Sequence, residues 1–307
     1  MPGKIAITPR SLSGQGHPAL SSLIGSGYEL VFPSPGEMPT EEQLRATIPE
    51  CVGWLAGVEP IGGALLEQAD SLKVISRNGV GVSNIEMPVA DRLGITVARA
   101  EGANARGVAE LAFALMLSGF RHIPWSDAGI RSGQWQRRKG FEAQGRTLGL
   151  IGCGAIGRLV ATMATQFGMK VIGFDPFPDD SFVLEGFRYG EIGEVLEHSH
   201  AISLHCPPSD KPLLDKVALA EVREGVVIIN TARAELVDET ALLGALNRNQ
   251  IGCYATDVYA CEPPAPGPLI THDRVILMPH AGGFTEESVD RATQGAVSNL
   301  LSVLERR

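Results

Sequence analysis

Three ionisable residues far apart in the chain each follow a short apolar run that predicts a β-strand: Arg233 in VVIINTAR, Glu262 in ATDVYACEPP and His280 in VILMPHAGG. Ligands of open parallel sheets bind beyond the carboxyl ends of the strands, so three such positions can converge. Singly, each has a plainer reading. Arg233 serves equally as a surface ion-pair partner, Glu262 as a solvated loop acid and His280 as a capping or internally satisfied histidine. Together they suit hydride exchange with a 2-keto acid. Arg233 supplies a planar fork for a carboxylate and the neighbouring carbonyl oxygen. His280 gives that oxygen a proton in one direction and removes it in the other, and Glu262 orients the imidazole.

A hydride carrier has its own signature. Gly152-Cys153-Gly154-Ala155-Ile156-Gly157 follows the apolar run TLGLI, opens a helical pattern AIGRLVATMATQFG, and is succeeded by a second run, KVIGFD. A bare GxGxxG is weak; set between a strand and a helix it predicts a dinucleotide turn. Gly152 permits the tight turn, Gly154 lets backbone approach a pyrophosphate, and Gly157 lets the helix pack on the sheet, with the helix N-terminal amides holding the diphosphate. Asp175 ends the second run 18 residues beyond Gly157, placed to accept from the adenosine ribose hydroxyls and to repel a 2′-phosphate. The expected cofactor is therefore NAD rather than NADP. The plainer alternative is an ordinary turn with an exposed strand-end acid. Arg158 reads equally as a pyrophosphate contact or a solvated surface group.

The elements that must hold these residues are legible as alternation. KIAIT, YELVF, VGWLAG, KVISR and ITVARA, then TLGLIG, KVIGFD, AISLHC, VVIINTA, CYATDV and RVILMP, read as short strands separated by helical patterns. They lack strict period-two polarity, as expected of sheets covered on both faces. The fold class predicted is α/β, with two doubly wound parallel sheets. A helical run opens at Asn104. IPWSDAGIRSGQWQRRKGFEAQGR shows no strand period and reads as an excursion between domains. Residues 285 to 305 carry Val289, Ala292, Ala296, Leu300 and Leu304 at helical spacing and predict one amphipathic helix.

Bulk composition narrows the function classes. At 307 residues, with 44% hydrophobic and 20% charged residues, the chain has the length of two ordinary domains. A net charge of −9 argues against a life on nucleic acid or acidic lipid. The opening MPGKIAITPR lacks a secretion-type apolar run and no apolar stretch is long enough for a membrane span, so a cytoplasmic location is expected. The five cysteines, Cys51, Cys153, Cys206, Cys253 and Cys261, have no zinc-like spacing, so no metal is expected and reduced, buried thiols are.

With RNGVGVSNIE (77 to 86), NARGVAEL (104 to 111), GCGAIG, NTARAELVDE (230 to 239), ATDVYACEP (255 to 263) and PHAGGFT (279 to 285), the sequence resembles the D-isomer-specific 2-hydroxyacid dehydrogenases over nearly its whole length. That group includes phosphoglycerate dehydrogenase and the glyoxylate/hydroxypyruvate reductases. The resemblance implies catalytic Arg233, Glu262 and His280, and dinucleotide contacts at Ala155, Ile156, Asp175, Thr231, Ala232, Asp257, His280 and Gly282, with Asp257 facing the nicotinamide carboxamide. It implies a flavodoxin-like substrate domain from residues 1–100 plus 284–307, with a Rossmann NAD-binding domain, 101–283, inserted. The backbone of Asn78, Gly79 and Val80 would lie against the substrate carboxylate, with Asn78 adding either a side-chain hydrogen bond or merely a polar turn residue.

The same resemblance implies a homodimer, with residues of about 121–146 as the dimerisation arm. Trp135, with Arg137, Arg138 and Lys139 behind it, is the residue to reach a partner's site; a tryptophan packed in the contact beside a solvated basic run is the preferred alternative. Departures bear on the substrate. Ser83 and Glu86 stand where the family usually has Asp, Ala234 replaces a Gly, and the 57–63 loop GVEPIGG lacks the basic residues expected near a substrate phosphate. Ending at Arg307, the chain is not expected to show serine feedback. The expected reaction is hydride transfer between NAD and a small D-2-hydroxy acid/2-keto acid pair of phosphoglycerate, hydroxypyruvate or sulfolactate type. Two alternatives are an NAD-sensing corepressor-like protein on the same fold and a formate dehydrogenase; the latter places Gln where Glu262 stands.

Overall fold

The computed structural model describes residues 3–305 and contains two α/β units, 1–104 with 284–307 and 105–283. Residues 1–2 and 306–307, included in the expected substrate domain, lie outside the described residues. All strand pairing is parallel in both sheets.

The first unit is built on β1 (Lys4–Ile7), β2 (Glu29–Val31), β3 (Cys51–Ala56), β4 (Val74–Arg77) and β5 (Thr96–Arg99), in the order β2-β1-β3-β4-β5. Its last element, the helix Glu286–Leu304, starts where Thr285 accepts from the Ser288 amide. Ala296, Val297 and Leu300 on this helix share a core with Ile5, Ile7, Leu55 and Val74.

The second unit carries β6 (Thr147–Ile151), β7 (Lys170–Phe174), β8 (Phe187–Tyr189), β9 (Ala201–Leu204), β10 (Val226–Asn230), β11 (Ile251–Thr256) and β12 (Val275–Leu277), in the order β12-β11-β10-β9-β6-β7-β8. The reversal of order between β9 and β6 is the switch point at which such sheets bind ligands. Unbroken apolar strands are explained by their two faces: in β10, Val227 and Ile229 enter one core while Val226 and Ile228 enter another.

The eleven runs read as strands are all strands. Edge strand β8 was not foreseen, being three residues long and half-exposed. The expected excursion is partly helical, Ile123–Arg131, and its remainder folds back within the same unit, Phe141 packing on Phe120 at 4.4 Å between ring centroids. All five cysteines are free, but the expectation of uniform burial is corrected: Cys206 is half-buried and Cys261 is exposed. Among the described residues, no helix is long and apolar enough to cross a membrane.

Candidate active site

The glycine turn is built as its spacing requires. Gly152 has φ 95°, a conformation that favours glycine, and a Cβ there would lie 2.5 Å from the His205 carbonyl carbon. A Cβ on Gly157 would meet the Gly152 oxygen at 2.2 Å, so the helix Ala155–Gln166 reaches the turn only because residue 157 is glycine. Gly154 differs. A Cβ there meets no protein atom within 4 Å, so nothing inside the chain demands glycine; what it leaves clear is the approach to a helix start that no side chain caps. Ala155 is exposed and Ile156 half-buried at the same end.

At the end of β7, Asp175 accepts from the Cys153 amide at 2.8 Å and the Phe177 amide at 2.9 Å, so the strand-end carboxylate is fixed against the glycine turn. Arg158, left open between two readings, donates to the Cys153 carbonyl at 2.8 Å and pairs with Asp179 at 2.7 Å. After β10, Thr231 is buried and its hydroxyl has no protein partner, while the Ala232 amide donates to Asn230. An open glycine at an uncapped helix start, a fixed strand-end acid and an orphaned hydroxyl fit the diphosphate, ribose and nicotinamide portions of a dinucleotide.

β12, β11 and β10 are neighbours, so the loops bearing His280, Glu262 and Arg233 leave one edge of the sheet side by side, with adjacent strands about 4.8 Å apart. His280 Nδ1 lies 2.8 and 2.9 Å from the two Glu262 oxygens. A carboxylate only accepts, so Nδ1 carries the proton of this bond and Nε2 is free for a substrate. The Tyr259 amide donates to Glu262 at 3.2 Å, steadying the acid in turn. Arg233 is exposed at the start of a short 3₁₀ turn, its Nη1 donating to the Ala232 carbonyl and its own carbonyl accepting from Asn230 at 2.8 Å.

The backbone at His280 is strained, with φ 52° in the left-handed region. Asp257 supports it. This fully buried carboxylate accepts from the Ala281 amide at 2.7 Å and the Gly282 amide at 2.8 Å. Asp257 thereby braces the turn that presents His280, and Gly282 provides the close approach: a Cβ there would sit 3.0 Å from Asp257 Oδ2.

In the first unit, Asn78, Gly79 and Val80 follow β4. Gly79 has φ 151°, and Asn78 Oδ1 lies 3.4 Å from the Thr293 hydroxyl of the last helix, which ties the turn to its own unit. Sequence reasoning missed the groups behind this turn. Arg77 is buried, donates to the Asn78 carbonyl at 2.9 Å, and is shifted down in pKa by burial against the opposing pull of Glu59. Glu59 is buried too, accepting from the Thr8 hydroxyl and from the Gly57 amide at 3.0 Å. The only available signal was a charged residue inside an apolar loop, GVEPIGG. Trp135 is 85% exposed. Arg138 is not a free cation, since it pairs with Asp273 and lies 4.1 Å above the Trp125 ring.

A doubly wound sheet with a glycine turn at its switch point and a histidine–carboxylate pair along one edge defines a dinucleotide-binding protein of the dehydrogenase type. The chain belongs to the D-isomer specific 2-hydroxyacid dehydrogenase family, whose NAD binding domain matches residues 113–282. It is 39% identical over 246 residues to the D-3-phosphoglycerate dehydrogenase of Methanocaldococcus jannaschii, covering 78% of this chain and 47% of that protein. The chain thus spans about half the length of the curated relatives it matches. A crystal structure of a Thermus thermophilus protein superposes with TM-score 0.87 at 32% identity, covering 99% of this chain and 97% of the other. A glyoxylate reductase from Paecilomyes thermophila gives TM-score 0.85 at 28% identity, covering 100% and 97%.

Proposed function

We propose that the protein is an NAD-linked oxidoreductase that interconverts a small D-2-hydroxy acid and its 2-keto acid. The observation that carries this reading is the Glu262–His280 pair, with Nδ1 held at 2.8 Å and Nε2 free, beside Arg233 on the same sheet edge. NADH, when bound at the glycine turn, supplies the hydride for the carbonyl carbon. Arg233 holds the keto-acid carboxylate by a paired hydrogen bond. His280 Nε2 donates a proton to the carbonyl oxygen, and Glu262 stabilises the imidazolium that carries it. In the reverse direction, neutral Nε2 removes the hydroxyl proton. Formate oxidation has no hydroxyl proton to move, so this pair favours the hydroxy-acid reading.

Gly152, Gly154, Ala155, Ile156, Gly157, Asp175, Thr231, Ala232, Asp257 and Gly282 are proposed for the cofactor, Asp257 and Gly282 also setting the His280 turn. On the resemblance, 1–100 with 284–307 form the substrate domain, with Asn78, Gly79 and Val80 as substrate contacts, and 101–283 the NAD domain. The 57–63 loop without Lys or Arg favours a hydroxypyruvate-type substrate over a phosphorylated one. The exposed Trp135, Ile123 and Ile130 favour a homodimer formed through the 121–146 segment. The test is an NADH-coupled panel of glyoxylate, hydroxypyruvate, phosphohydroxypyruvate and sulfopyruvate, run on the wild type and on His280→Ala. The variant is expected to lose at least about 100-fold in kcat/KM while NADH binding, followed by fluorescence, persists. Unimpaired turnover would remove His280 from the mechanism; no turnover with any keto acid would favour a sensing role.

A further inference from the structure

Between Asp175 and Phe187 the chain carries four acids, Asp175, Asp179, Asp180 and Glu185, and neither Lys nor Arg. The cation bonded to this region comes from the neighbouring helix. Arg158 Nε donates to the carbonyl of Cys153, the residue whose amide donates to Asp175, so Arg158 and Asp175 are anchored on the same residue of the glycine turn. Arg158 is already engaged. Its Nη1 lies 2.7 Å from Asp179 Oδ2, and its guanidinium sits 5.3 Å from the centroid of the Phe182 ring. Asp179 is itself held in place: its Oδ1 accepts from the Ser181 amide at 3.0 Å and the Ser181 hydroxyl at 2.5 Å. Those bonds, with a smaller contribution from Arg158, hold its carboxyl below the usual range.

We propose that Asp179 is a determinant of dinucleotide choice: by occupying Arg158 it withholds the cation anchored beside Asp175, the one placed to neutralise a 2′-phosphate, and so enforces NAD over NADP. The inference rests on the reading of the 152–157 turn as the dinucleotide site. A phosphate monoester brings close to two negative charges, and a guanidinium is the group best shaped to pair with it. In this protein the guanidinium next to the ribose acid is spent on a second carboxylate. Asp175 supplies the repulsion and Asp179 removes the remedy. Sequence pattern shows the first of these and hides the second, because the Arg158–Asp179 pairing spans a strand and two loops.

The measurement is the dissociation constant of NADH and of NADPH, read by nicotinamide fluorescence on the whole chain without substrate. Asp179→Asn keeps the Oδ1 acceptor for Ser181 and removes the charge facing Arg158, so the turn is retained. It is expected to tighten NADPH about two- to fivefold, the range an exposed ion pair supports, and to leave NADH within about twofold. The same gain is expected on top of Asp175→Ser, and Arg158→Ala should erase it in both backgrounds. An unchanged NADPH-to-NADH ratio in Asp179→Asn, or a gain that survives Arg158→Ala, would overturn the proposal. A wild-type protein that binds NADH with these ratios unmoved would refute this inference alone; one that binds no NADH would refute the dinucleotide reading beneath it.

Discussion

At the scale of single residues, the site depends on polar groups held inside the protein that support the turns around it. His280 is presented on a left-handed backbone, and a non-glycine residue there needs outside support of about 1–2 kcal/mol. The two amide bonds to Asp257 supply it. His205, half-buried, is the other polar group of this kind. It follows β9, its backbone lies against Gly152, its Nε2 is 2.9 Å from the Ser203 hydroxyl, and its Nδ1 is buried without a partner. Burial lowers its pKa from 6.5 to about 4. The unfolded chain therefore takes up a proton near pH 6.5 that the folded protein refuses until about pH 4. Stability is fully present above the unfolded value and is lost as pH falls from 6.5 to 4. The loss reaches on the order of 3 kcal/mol at the acid end. Urea midpoints measured across that window should fall with pH, and His205→Gln should flatten the slope. An identical slope in wild type and variant would show that other groups carry it.

At the scale of elements, the glycine turn separates two reasons for glycine that sequence alone merges. Gly157 is required by the protein's own packing, and Gly154 is not. Gly157→Ala must push the helix Ala155–Gln166 off β6, an overpacking that costs about 1–3 kcal/mol, with a lowered Tm and lost NADH binding. Gly154→Ala is expected to keep a wild-type Tm while weakening NADH, because its Cβ enters only the space a pyrophosphate would fill. Equal Tm losses in calorimetry would contradict this division. The strands were legible because their runs are apolar on both faces, and the helix Glu286–Leu304 because its apolar positions keep helical spacing and Thr285 caps it. β8 was hidden by its edge position, and the helix Ile123–Arg131 by having no buried residue to impose a period. Arg233, Glu262 and His280 could be found since each directly follows a strand. Arg77 near Glu59, and the Arg158–Asp179 pair, could not, because three-dimensional proximity rather than spacing brings them together.

At the scale of the whole molecule, the unit formed by 1–104 and 284–307 is discontinuous in sequence, and its completion depends on the segment that follows the 105–283 unit. The helix Glu286–Leu304 is built into that unit rather than laid upon it. Ser76 in β4 donates to the Ala296 carbonyl at 2.8 Å, and Gly53 in β3 leaves room for Leu300 and Leu304, whose methyl carbons would stand 3.2 and 3.3 Å from a Cβ there. Removing the helix uncovers Ile5, Ile7, Leu55 and Val74 together with the apolar face that covered them. At about 1.5–3 kcal/mol for each large side chain returned to water, the loss matches the whole stability of an ordinary domain, about 5–15 kcal/mol. A chain ending at Gly283 should therefore leave residues 3–104 unfolded. The 105–283 unit keeps both of its own cores and should still fold and bind NADH. Hydrogen exchange resolved by segment reads both outcomes at once: fast exchange in β1 to β5, with protection kept in β6 to β12 and increased by NADH. Residues 3–104 exchanging as slowly as in the full chain would show that the last helix is a cover and not part of the core.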